Sequence, residues 1–483
     1  MRSWNCAEVL TSSEVQRIHD QALRILDEIG VEVANTDLLG VFAEMGADAN
    51  LGTQVVKFPT AWTERFIAES SEEYDDCDWM ETMPGFPWNR RMEYSGGIEA
   101  VAGCYPQFYY TPEGEYKLHT LETCADMTRL ADALPNIDRI GVCGTPSDVP
   151  AELDILYMRL VAWKNAENKL SGCGEVRNTR LLPYVYEMGR IIADYRGEPA
   201  TRYTFAEVAM HSPLRLGSME ADIVAEMWKE GYKVAVGYVQ ISGANTPATL
   251  AATASMTLAE SLFMNFLYRG LYGLKKLHIN VNDSVLDMKV GFFPFARPER
   301  TLLMLTLGQI ARHYKAAFWA SAIGVDSKAI DMEAGLGRSF NDIPAIMAGT
   351  MSLETYGLLS TGDANSAIML AMENEYVGAV KRFIRGFEVN EETLAWDLIK
   401  EKGIGGSFLD SEHTVEHFRQ EHWQPKLFAR EPLNDWLIKG RKTAEDNARE
   451  KVESILQTHY PRGMDEATEK ALMDVIRRAE KEL

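Results

Sequence analysis

Basic residues are scarce in this sequence. Its 483 residues include 49 Lys and Arg against 71 Asp and Glu, which gives a formal net charge of −22. Because a surface of that sign repels phosphates, we expect neither nucleic acid nor an anionic membrane as a partner. Apolar residues make up 46% of the chain and charged residues 25%, a composition that is typical of a globular protein and excludes wholesale disorder.

Cysteines and export signals are also lacking. No two of the six cysteines are spaced C-x-x-C, which argues against a zinc ribbon, and all lie in the first 173 residues: Cys6, Cys77, Cys104, Cys124, Cys143 and Cys173. The N-terminus has no apolar segment of the kind found in secretory signals. The longest charge-free run, 234–259, is interrupted by Gln240, Gly243 and Pro247, so it predicts a strand, a loop and a helix rather than a membrane span. We therefore expect a cytoplasmic protein.

Short apolar runs alternate with amphipathic stretches from about residue 95 onward. The predicted strands are 107–110, 139–143, 170–173, 203–209, 233–239, 277–281, 317–323 and a weaker one near 356–359. The predicted helices between them include 121–134, 152–165, 181–195, 218–230, 247–268, 299–314 and 343–352. This alternation predicts an α/β fold, a (β/α)8 TIM-type barrel. A doubly wound open sheet is the alternative, but no strand is followed by the glycine-rich phosphate loop common in such sheets.

Two further regions flank the predicted barrel. A helix is expected over 11–29, where Thr11 and Glu14 form a capping box and Gly30 ends the helix. After residue 400 the chain is polar and helical, with helices expected at 443–456 and 465–480. We predict an N-terminal helical and mixed region (1–90), a barrel domain (91–400) and a C-terminal helical extension (401–483).

The carboxyl ends of the predicted strands, here called the rim, are where a barrel carries its chemistry. Polar residues at the rim are His211, Arg215, Gln240, Ser242, Asn280, Asn282, Asp283, Asp326 and Glu354. Aromatic residues at the rim are Tyr105, Phe205, Tyr238, Phe292, Phe293, Phe295, Trp319 and Tyr356. Ring faces suit a quaternary ammonium, which donates no hydrogen bond and is held by cation–π contacts of ~0.5–2 kcal/mol per ring. For any single ring, packing in the barrel core is the alternative role.

One motif favours different chemistry. His413, Glu416 and His417 form an H-x-x-E-H pattern, in which the two histidines face the same side of a helix and could bind zinc with Glu416 as base. The alternative is an ordinary polar surface helix, because the segment lies outside the strands and no third ligand follows at a suitable spacing.

From about 95 to 430 the chain resembles the trimethylamine methyltransferase family. The similar stretches are 130–138 (LADALPNID), 212–215 (SPLR), 242–250 (SGANTPATL), 326–335 (with Asp326, Lys328 and Asp331) and 408–427, a block that contains His413 and His417. The resemblance implies a barrel that presents a methylated amine to Co(I) of a cobalamin carried by a separate corrinoid protein. Founding members use pyrrolysine, which we would place near 324–326; only standard residues occur there, so the chain resembles non-pyrrolysine members such as glycine betaine methyltransferases.

The resemblance leads to a functional hypothesis. A quaternary ammonium already carries a neutral amine as leaving group, so the enzyme has mainly to position one methyl group in line with cobalt. We predict methyl transfer from a small quaternary amine, with glycine betaine preferred and proline betaine, carnitine or γ-butyrobetaine as other candidates. No D-x-H-x-x-G motif of a cobalamin carrier is present, so the cobalamin must come from a partner. A zinc hydrolase and a non-catalytic betaine-binding barrel are the alternatives, and a homo-oligomer is expected.

Specific roles follow from this hypothesis. The predicted substrate-binding residues are Tyr105, Phe205, His211, Arg215, Tyr238, Gln240, Asn280, Phe292, Trp319 and Tyr356. His211, Arg215 and Arg338 are the cationic candidates for a betaine carboxylate. A carboxylate touching the nitrogen would favour the ground state, so Asp326 and Glu354 are assigned supporting positions behind the substrate-binding residues. No catalytic residue and no metal ligand is assigned.

Overall fold

The computed structural model describes residues 7–72, 98–167, 169, 174–321, 324–350 and 352–483. The predicted strand at 170–173, the end of the one at 317–323, and Cys6, Cys77 and Cys173 lie outside these residues. The fold is mixed α/β and about half helical.

Among the described residues, seven strands are four or more residues long: β4, β7, β8, β10, β12, β14 and β15. In order, the strands are β1 Val31–Val33, β2 Asp48–Asn50, β3 Val55–Lys57, β4 Glu99–Cys104, β5 Phe108–Tyr110, β6 Tyr116–Leu118, β7 Arg139–Cys143, β8 Ala206–Ala209, β9 Arg215–Leu216, β10 Val234–Gly237, β11 Ile241–Ser242, β12 His278–Val281, β13 Ser284–Val285, β14 Ala317–Ala320, β15 Ser352–Tyr356, β16 Leu358–Leu359 and β17 Ala364–Asn365. Five of those seven, β7, β8, β10, β12 and β14, lie at predicted strands; β4 was not predicted, and β15 begins four residues before the strand expected near 356–359.

The α-helices cover the strands and form the two ends of the chain. They are α1 Ser12–Arg24, α2 Thr36–Glu44, α3 Thr60–Glu72, α4 Leu121–Ala133, α5 Asp154–Lys164, α6 Leu182–Arg196, α7 Ser218–Lys229, α8 Leu250–Tyr272, α9 Pro298–His313, α10 Met332–Ala348, α11 Ala367–Arg385, α12 Glu391–Leu394, α13 Trp396–Lys402, α14 Glu412–Glu421, α15 Leu433–Ile438, α16 Ala444–Thr458 and α17 Glu466–Glu482. A π-helical turn, Ile25–Ile29, extends α1 as far as Gly30.

Parallel pairing connects strands that are far apart in the sequence. β15 pairs with β4 and β4 with β7, β8 pairs with β10, and β12 pairs with β14, all in parallel. Glu175 forms an isolated parallel bridge with Glu207 of β8. The pairing of β15 with β4 brings the last of the seven strands beside the first.

The strand β10 does not pair with β12; side chains of α8 bond to the edge of β10 instead. The Val236 N–H donates to the Tyr268 hydroxyl at 2.8 Å, and that hydroxyl donates to the Val236 carbonyl at 3.3 Å. The Val234 N–H donates to the Tyr272 hydroxyl at 3.2 Å. Because buried backbone groups need partners, these two phenols take the place of a neighbouring strand.

The facing edge of β12 is satisfied in the same way. The Asn265 amide accepts from the His278 N–H at 3.0 Å and donates to the His278 carbonyl at 2.8 Å. The Asn280 N–H donates to the Ser261 hydroxyl at 3.1 Å, and the Tyr238 hydroxyl donates to the Asn280 carbonyl. Polar side chains on an otherwise apolar helix thus bridge the interruption between the two strands.

One predicted strand belongs to a different sheet. Residues 107–110 were expected to open the barrel, but β5 joins the four-stranded sheet β16-β17-β5-β6, where it pairs with β17 and forms a hairpin with β6. The strand that pairs with β7 is β4, Glu99–Cys104. Phe108 and Leu118 of the hairpin are exposed, whereas Ala100, Val101 and Ala102 of β4 are buried, and burial on both faces is typical of parallel strands.

The helices largely match their predicted positions. The capping box of Thr11 and Glu14 is confirmed, since each side chain bonds the backbone N–H of the other. The helix expected at 343–352 is wrong: α10 begins at Met332, where the Asp331 carboxylate accepts from the Ala334 N–H. Two glycines lie in the first half of α10, and Pro344 lies in its second half. Because both residue types are weak helix formers, the sequence pattern did not reveal one continuous helix.

Helix α8 is long and apolar enough to cross a membrane by length and composition. However, 78% of its most apolar window is buried inside the protein. Together with its bonds to β10 and β12, this identifies α8 as a core helix.

Candidate active site

Three carboxylates from different strands approach one guanidinium. Glu99 of β4 lies 3.3 Å from Arg139 Nε, and Glu354 of β15 lies 3.5 Å from Arg139 Nη2. Glu207 of β8 is close enough to Glu354 for each charge to matter to the other. We call Glu99, Glu207 and Glu354 the carboxylate cluster. Parallel pairing of β15, β4 and β7 brings Glu354 beside Glu99 and Arg139, although Glu354 is more than two hundred residues from both in the sequence.

The environment of the cluster disfavours negative charge. The pKa of Glu207 is raised to about 7, first by burial and then by the neighbouring Glu354 and Glu175 carboxyls. Burial likewise raises the pKa of Glu99 to about 7 and raises that of Glu354. Arg139 opposes the rise at all three carboxyls. Three carboxyls thus share one guanidinium, and a further cation is electrostatically favoured whenever more than one of them is ionised.

Accessible surface borders the cluster. Ala209 at the end of β8 is exposed, and Gly237, its register partner at the end of β10, is only half-buried, although the rest of both strands is largely buried. Glu207 and Cys104 are also partly accessible. We call the region that these four residues border the cluster cavity. It is the candidate binding place for a ligand.

Two predicted ring residues lie at the cluster. The Trp319 indole N–H donates to Glu354 Oε1 at 3.3 Å, and the Tyr105 side chain is hydrogen-bonded to Glu207. Both rings are half-buried. Asn280 is the register partner of Trp319 in β12, and its side-chain oxygen is buried with no hydrogen-bond partner in the described structure. An aromatic, amide and carboxylate lining is thus present around the cluster cavity.

The Gln240 amide is fully buried beside Glu260 of α8. Burial raises the pKa of the Glu260 carboxyl, and the nearby Gln240 amide opposes that rise. Neither polar atom of the Gln240 amide has hydrogen-bond geometry to any described residue. Glu260 itself accepts from the Ser212 hydroxyl at 2.7 Å and the Leu214 N–H at 2.6 Å. Gln240 is therefore placed toward α8.

Tyr356 and Arg338 belong to a buried ion network. The Arg338 guanidinium lies 4.6 Å from the centre of the Tyr356 ring and 2.6 Å from Glu373. The Tyr356 hydroxyl donates to Asp342 at 3.0 Å. This network joins α10 and α11 to β15, so the structure places both residues among helix contacts.

The remaining predicted rings and cations have other neighbours. The Tyr238 hydroxyl donates to the Asn280 carbonyl of β12, Phe205 is buried with its carbonyl bonded to Arg159, and the half-exposed Phe292 stacks on Phe293 in a loop. His211 lies 3.3 Å from Glu220 of α7. Arg215 lies 3.1 Å from Glu32, because β9 pairs with β1 of the N-terminal sheet. These side chains do not gather at the cluster.

Asp326 holds the loop before α9. Its two oxygens accept from the Phe295 and Ala296 N–H groups, each at 2.7 Å, and from the Thr361 hydroxyl at 3.0 Å. Asp326 therefore contacts the loop backbone, and its supporting role at a substrate site stays a prediction.

The zinc motif lies on helix α14. The rings of His413 and His417 are 4.3 Å apart, and His417 lies 3.5 Å from Glu392. Across the part of the chain that the structure describes, no three His, Cys, Asp or Glu residues form a group that could hold a metal ion. The zinc hypothesis therefore gains no support.

Glu99, Arg139, Glu207 and Glu260 were not predicted as site residues. The usable signal was a charged residue inside an apolar run, as in Phe205-Ala-Glu-Val-Ala209. The predicted site residues lie at the ends of strands, whereas these charges lie within strands or, for Glu260, within a helix. Charged residues are rarely buried without a specific reason, so such interruptions mark candidate sites.

Comparison with known proteins identifies relatives along the whole chain. The family model described as trimethylamine methyltransferase (MTTB) matches residues 1–483. Trimethylamine methyltransferase MttB of Desulfitobacterium hafniense is 25% identical over 98% of this chain and 94% of its own length. Glycine betaine methyltransferase of the same species, strain Y51, is 25% identical over 98% of each chain. The crystal structure of the Methanosarcina barkeri monomethylamine methyltransferase (MtmB) aligns with a TM-score of 0.43 at 13% identity over 92% of each chain.

Proposed function

The chain belongs to the trimethylamine methyltransferase family, and we propose that it takes an N-methyl group from a small quaternary amine bound in the cluster cavity. The observation that carries this proposal is the carboxylate cluster, whose members have raised pKa values and share one guanidinium. A permanent cation relieves that imbalance without needing to donate a hydrogen bond. Glycine betaine is the preferred substrate, with proline betaine, carnitine and γ-butyrobetaine as further candidates.

The rings of Tyr105 and Trp319 and the carboxylates have complementary tasks in this proposal. The ring faces contact the methyl groups, at ~0.5–2 kcal/mol per ring. Glu354 and Glu207 fix the two rings by hydrogen bonds and supply long-range attraction. Asn280 offers an amide to the uncharged or carboxylate end of the substrate. Positioning of one methyl group toward the acceptor is the main catalytic contribution.

The acceptor is proposed to be Co(I) of a cobalamin on a separate corrinoid protein, as the family resemblance implies. In the transfer, the N–CH3 bond breaks, its electron pair stays on nitrogen, and the cobalt pair forms the new Co–CH3 bond. A neutral tertiary amine leaves, so no proton is needed. The reaction is expected in the cytoplasm.

The seven strands and the segment around Glu175 are proposed to form one closed (β/α)8 barrel within a domain of 91–400, between the regions 1–90 and 401–483. Support comes from the pairing of β15 with β4 and the bridge between Glu175 and Glu207. The bonds from α8 to β10 and β12 would bridge the interruption in that barrel.

Methyl transfer tests the proposal directly. Purified protein is mixed with a Co(I) corrinoid protein and each candidate amine, and loss of the Co(I) absorbance is followed. Transfer from at least one quaternary amine is expected, and Trp319→Leu should reduce it at least tenfold. Trp228→Leu, at a half-buried tryptophan on α7, is the matched control. No transfer from any betaine, carnitine or trimethylamine contradicts the proposal, and tight binding without transfer would instead favour a non-catalytic betaine-binding protein.

A further inference from the structure

A betaine carries a carboxylate as well as a quaternary nitrogen, and the carboxylate cluster repels that second group. The cations predicted for it, His211, Arg215 and Arg338, each pair with an acid outside the cluster. Arg139 is already shared by two members of the cluster. A zwitterionic substrate therefore needs another cation beside the cluster cavity.

Arg177 lies one strand away from the cluster. Glu175 and Glu207 form a parallel bridge, and the Val176 N–H donates to the Glu207 carbonyl at 3.3 Å. Continuing this register by two residues places Arg177 beside Ala209, the exposed residue at the edge of the cluster cavity. Side chains two residues apart on a strand share a face, so Arg177 lies on the same side of its segment as Glu175. With ~3.3 Å per residue and ~4.8 Å between strands, the Cα atoms of Arg177 and Glu207 are about 8 Å apart.

Tyr105 connects this segment to the proposed substrate site. Its side chain is hydrogen-bonded to Glu207. A Cβ atom added at Gly174 would lie 3.4 Å from Tyr105 Cε1, so the ring packs against the start of the same segment. The Glu175 carboxyl is in turn close enough to raise the pKa of Glu207. The ring proposed to contact the substrate methyl groups is therefore next to the segment that carries Arg177.

The Arg177 guanidinium is accessible to an anion. It donates from Nη1 to Asp154 Oδ2 at 3.4 Å, which is long for a bond between charged groups, and its side chain is 54% exposed. Arg177 also lines a cavity of about 290 Å³ together with Asp154, Glu175 and Arg180. A guanidinium has five N–H donors in a planar fork that matches the two oxygens of a carboxylate. Its contact with Asp154 therefore leaves donors for a second carboxylate.

We propose that Arg177 binds the substrate carboxylate, which makes betaines the substrate class in preference to quaternary amines without an acid group. This assignment rests on the proposed function, because it places the quaternary nitrogen at the cluster and Tyr105. The carboxylate then points along the strand toward Arg177, so that each charged end of the zwitterion meets the opposite charge. Because the two binding groups lie on different strands, the contribution of Arg177 should increase with the length of the betaine. It should be larger for γ-butyrobetaine than for glycine betaine.

Calorimetric titration of the unaltered protein and of Arg177→Gln tests this assignment. The ligands are γ-butyrobetaine, glycine betaine and tetramethylammonium at one ionic strength. Arg177→Gln should weaken binding of γ-butyrobetaine at least tenfold and that of glycine betaine less, whereas tetramethylammonium should bind at least as tightly as before. Arg177→Lys keeps the charge and should restore part of the lost affinity. Arg478→Gln is the matched control, because Arg478 is 47% exposed and pairs with Glu187 between α17 and α6; it should change none of the affinities.

The three ligands separate a failure of this assignment from a failure of the proposed function. Equal losses for all three, or no loss for either betaine, overturn the role of Arg177. So does a greater loss of γ-butyrobetaine affinity in Asn280→Ala than in Arg177→Gln, because the carboxylate would then lie at β12. Tetramethylammonium binding without betaine binding in the unaltered protein overturns the assignment but not a cation site at the cluster. If the unaltered protein binds none of the three, both the assignment and the proposed function are wrong.

Discussion

Replacing Glu207 by glutamine tests whether the carboxylate cluster is prepared for a cation. A rise in pKa from 4.5 to about 7 corresponds to roughly 3 kcal/mol between the two protonation states. Because the pKa in the folded protein lies above the unfolded value, stability falls as the pH rises from about 4.5 to 7, and the full cost remains above 7. A neutral side chain of the same shape removes that cost.

Glu207→Gln should therefore stabilise the ligand-free protein at pH 8 by about 1–3 kcal/mol and have little effect at pH 4.5. Thermal unfolding at the two pH values measures this effect, with a rise in Tm of roughly 1–3 °C expected at pH 8. The same variant loses one attractive charge, so calorimetric titration at pH 8 should show at least tenfold weaker binding of glycine betaine, about 1.4 kcal/mol.

Glu260→Gln is the matched control, since Glu260 is also buried but accepts from Ser212 and Leu214. Glutamine offers one acceptor oxygen instead of two, so this variant should lower Tm at both pH values and leave betaine binding unchanged. If Glu207→Gln also lowers Tm at pH 8 and binds betaine normally, the charge of Glu207 is fully compensated within the protein. Glu207 then does not favour a bound cation, and the prediction is wrong.

Three further predictions concern the carboxylate cluster, the edge of β10 and the loop before α9. The affinity for a quaternary ammonium should increase from pH 5 to 8, because Glu99 and Glu207 ionise over that range. Calorimetry at constant ionic strength measures this affinity, and an affinity that does not change with pH contradicts the carboxylate contribution. Tyr268→Phe leaves the Val236 N–H without its partner, so the free energy of unfolding in urea should fall by about 1–3 kcal/mol. An unchanged unfolding midpoint would show that water replaces the phenol. Asp326→Asn places an amide where two N–H groups and a hydroxyl donate to a carboxylate. This substitution should also lower the free energy of unfolding by about 1–3 kcal/mol, measured by urea unfolding. Unchanged stability would mean that other contacts hold the loop.

Local patterns were sufficient to predict five of the seven longer strands and to place most of the helices that were expected. The strand Arg139–Cys143 has its predicted bounds, because an apolar run between polar residues determines both ends. Strand β4 was missed although its residues are buried, since Glu99 and Gly103 interrupt the run that would have revealed it. The interrupting glutamate is a member of the carboxylate cluster. The feature that hid the strand is thus the one that carries the proposed chemistry.

The composition of the site could not be read from sequence spacing. Glu99 and Glu354 meet only because β15 pairs with β4, and which strands become neighbours is a property of the whole fold. Residues at strand ends were expected to converge, yet Arg215 bonds Glu32 because its short strand joins the N-terminal sheet. The ring residues also point in different directions, so only some of them lie at the cluster. Side chains alternate between the two faces of a strand, so an uncertainty of one residue in the strand bounds leaves the direction of each ring undetermined.

The cluster also bears on how the enzyme balances binding against transfer. A full negative charge against the substrate nitrogen stabilises the ammonium more than the transition state, where positive charge is being lost, and so opposes the reaction. Here Arg139 lies within 3.5 Å of both Glu99 and Glu354, and the raised pKa values keep part of the cluster protonated near neutral pH. In the proposed reaction the attraction on the substrate cation is therefore partial, weaker than three ionised carboxylates would exert. The neutral amine that the proposed transfer leaves would lose even that attraction, which would favour its release.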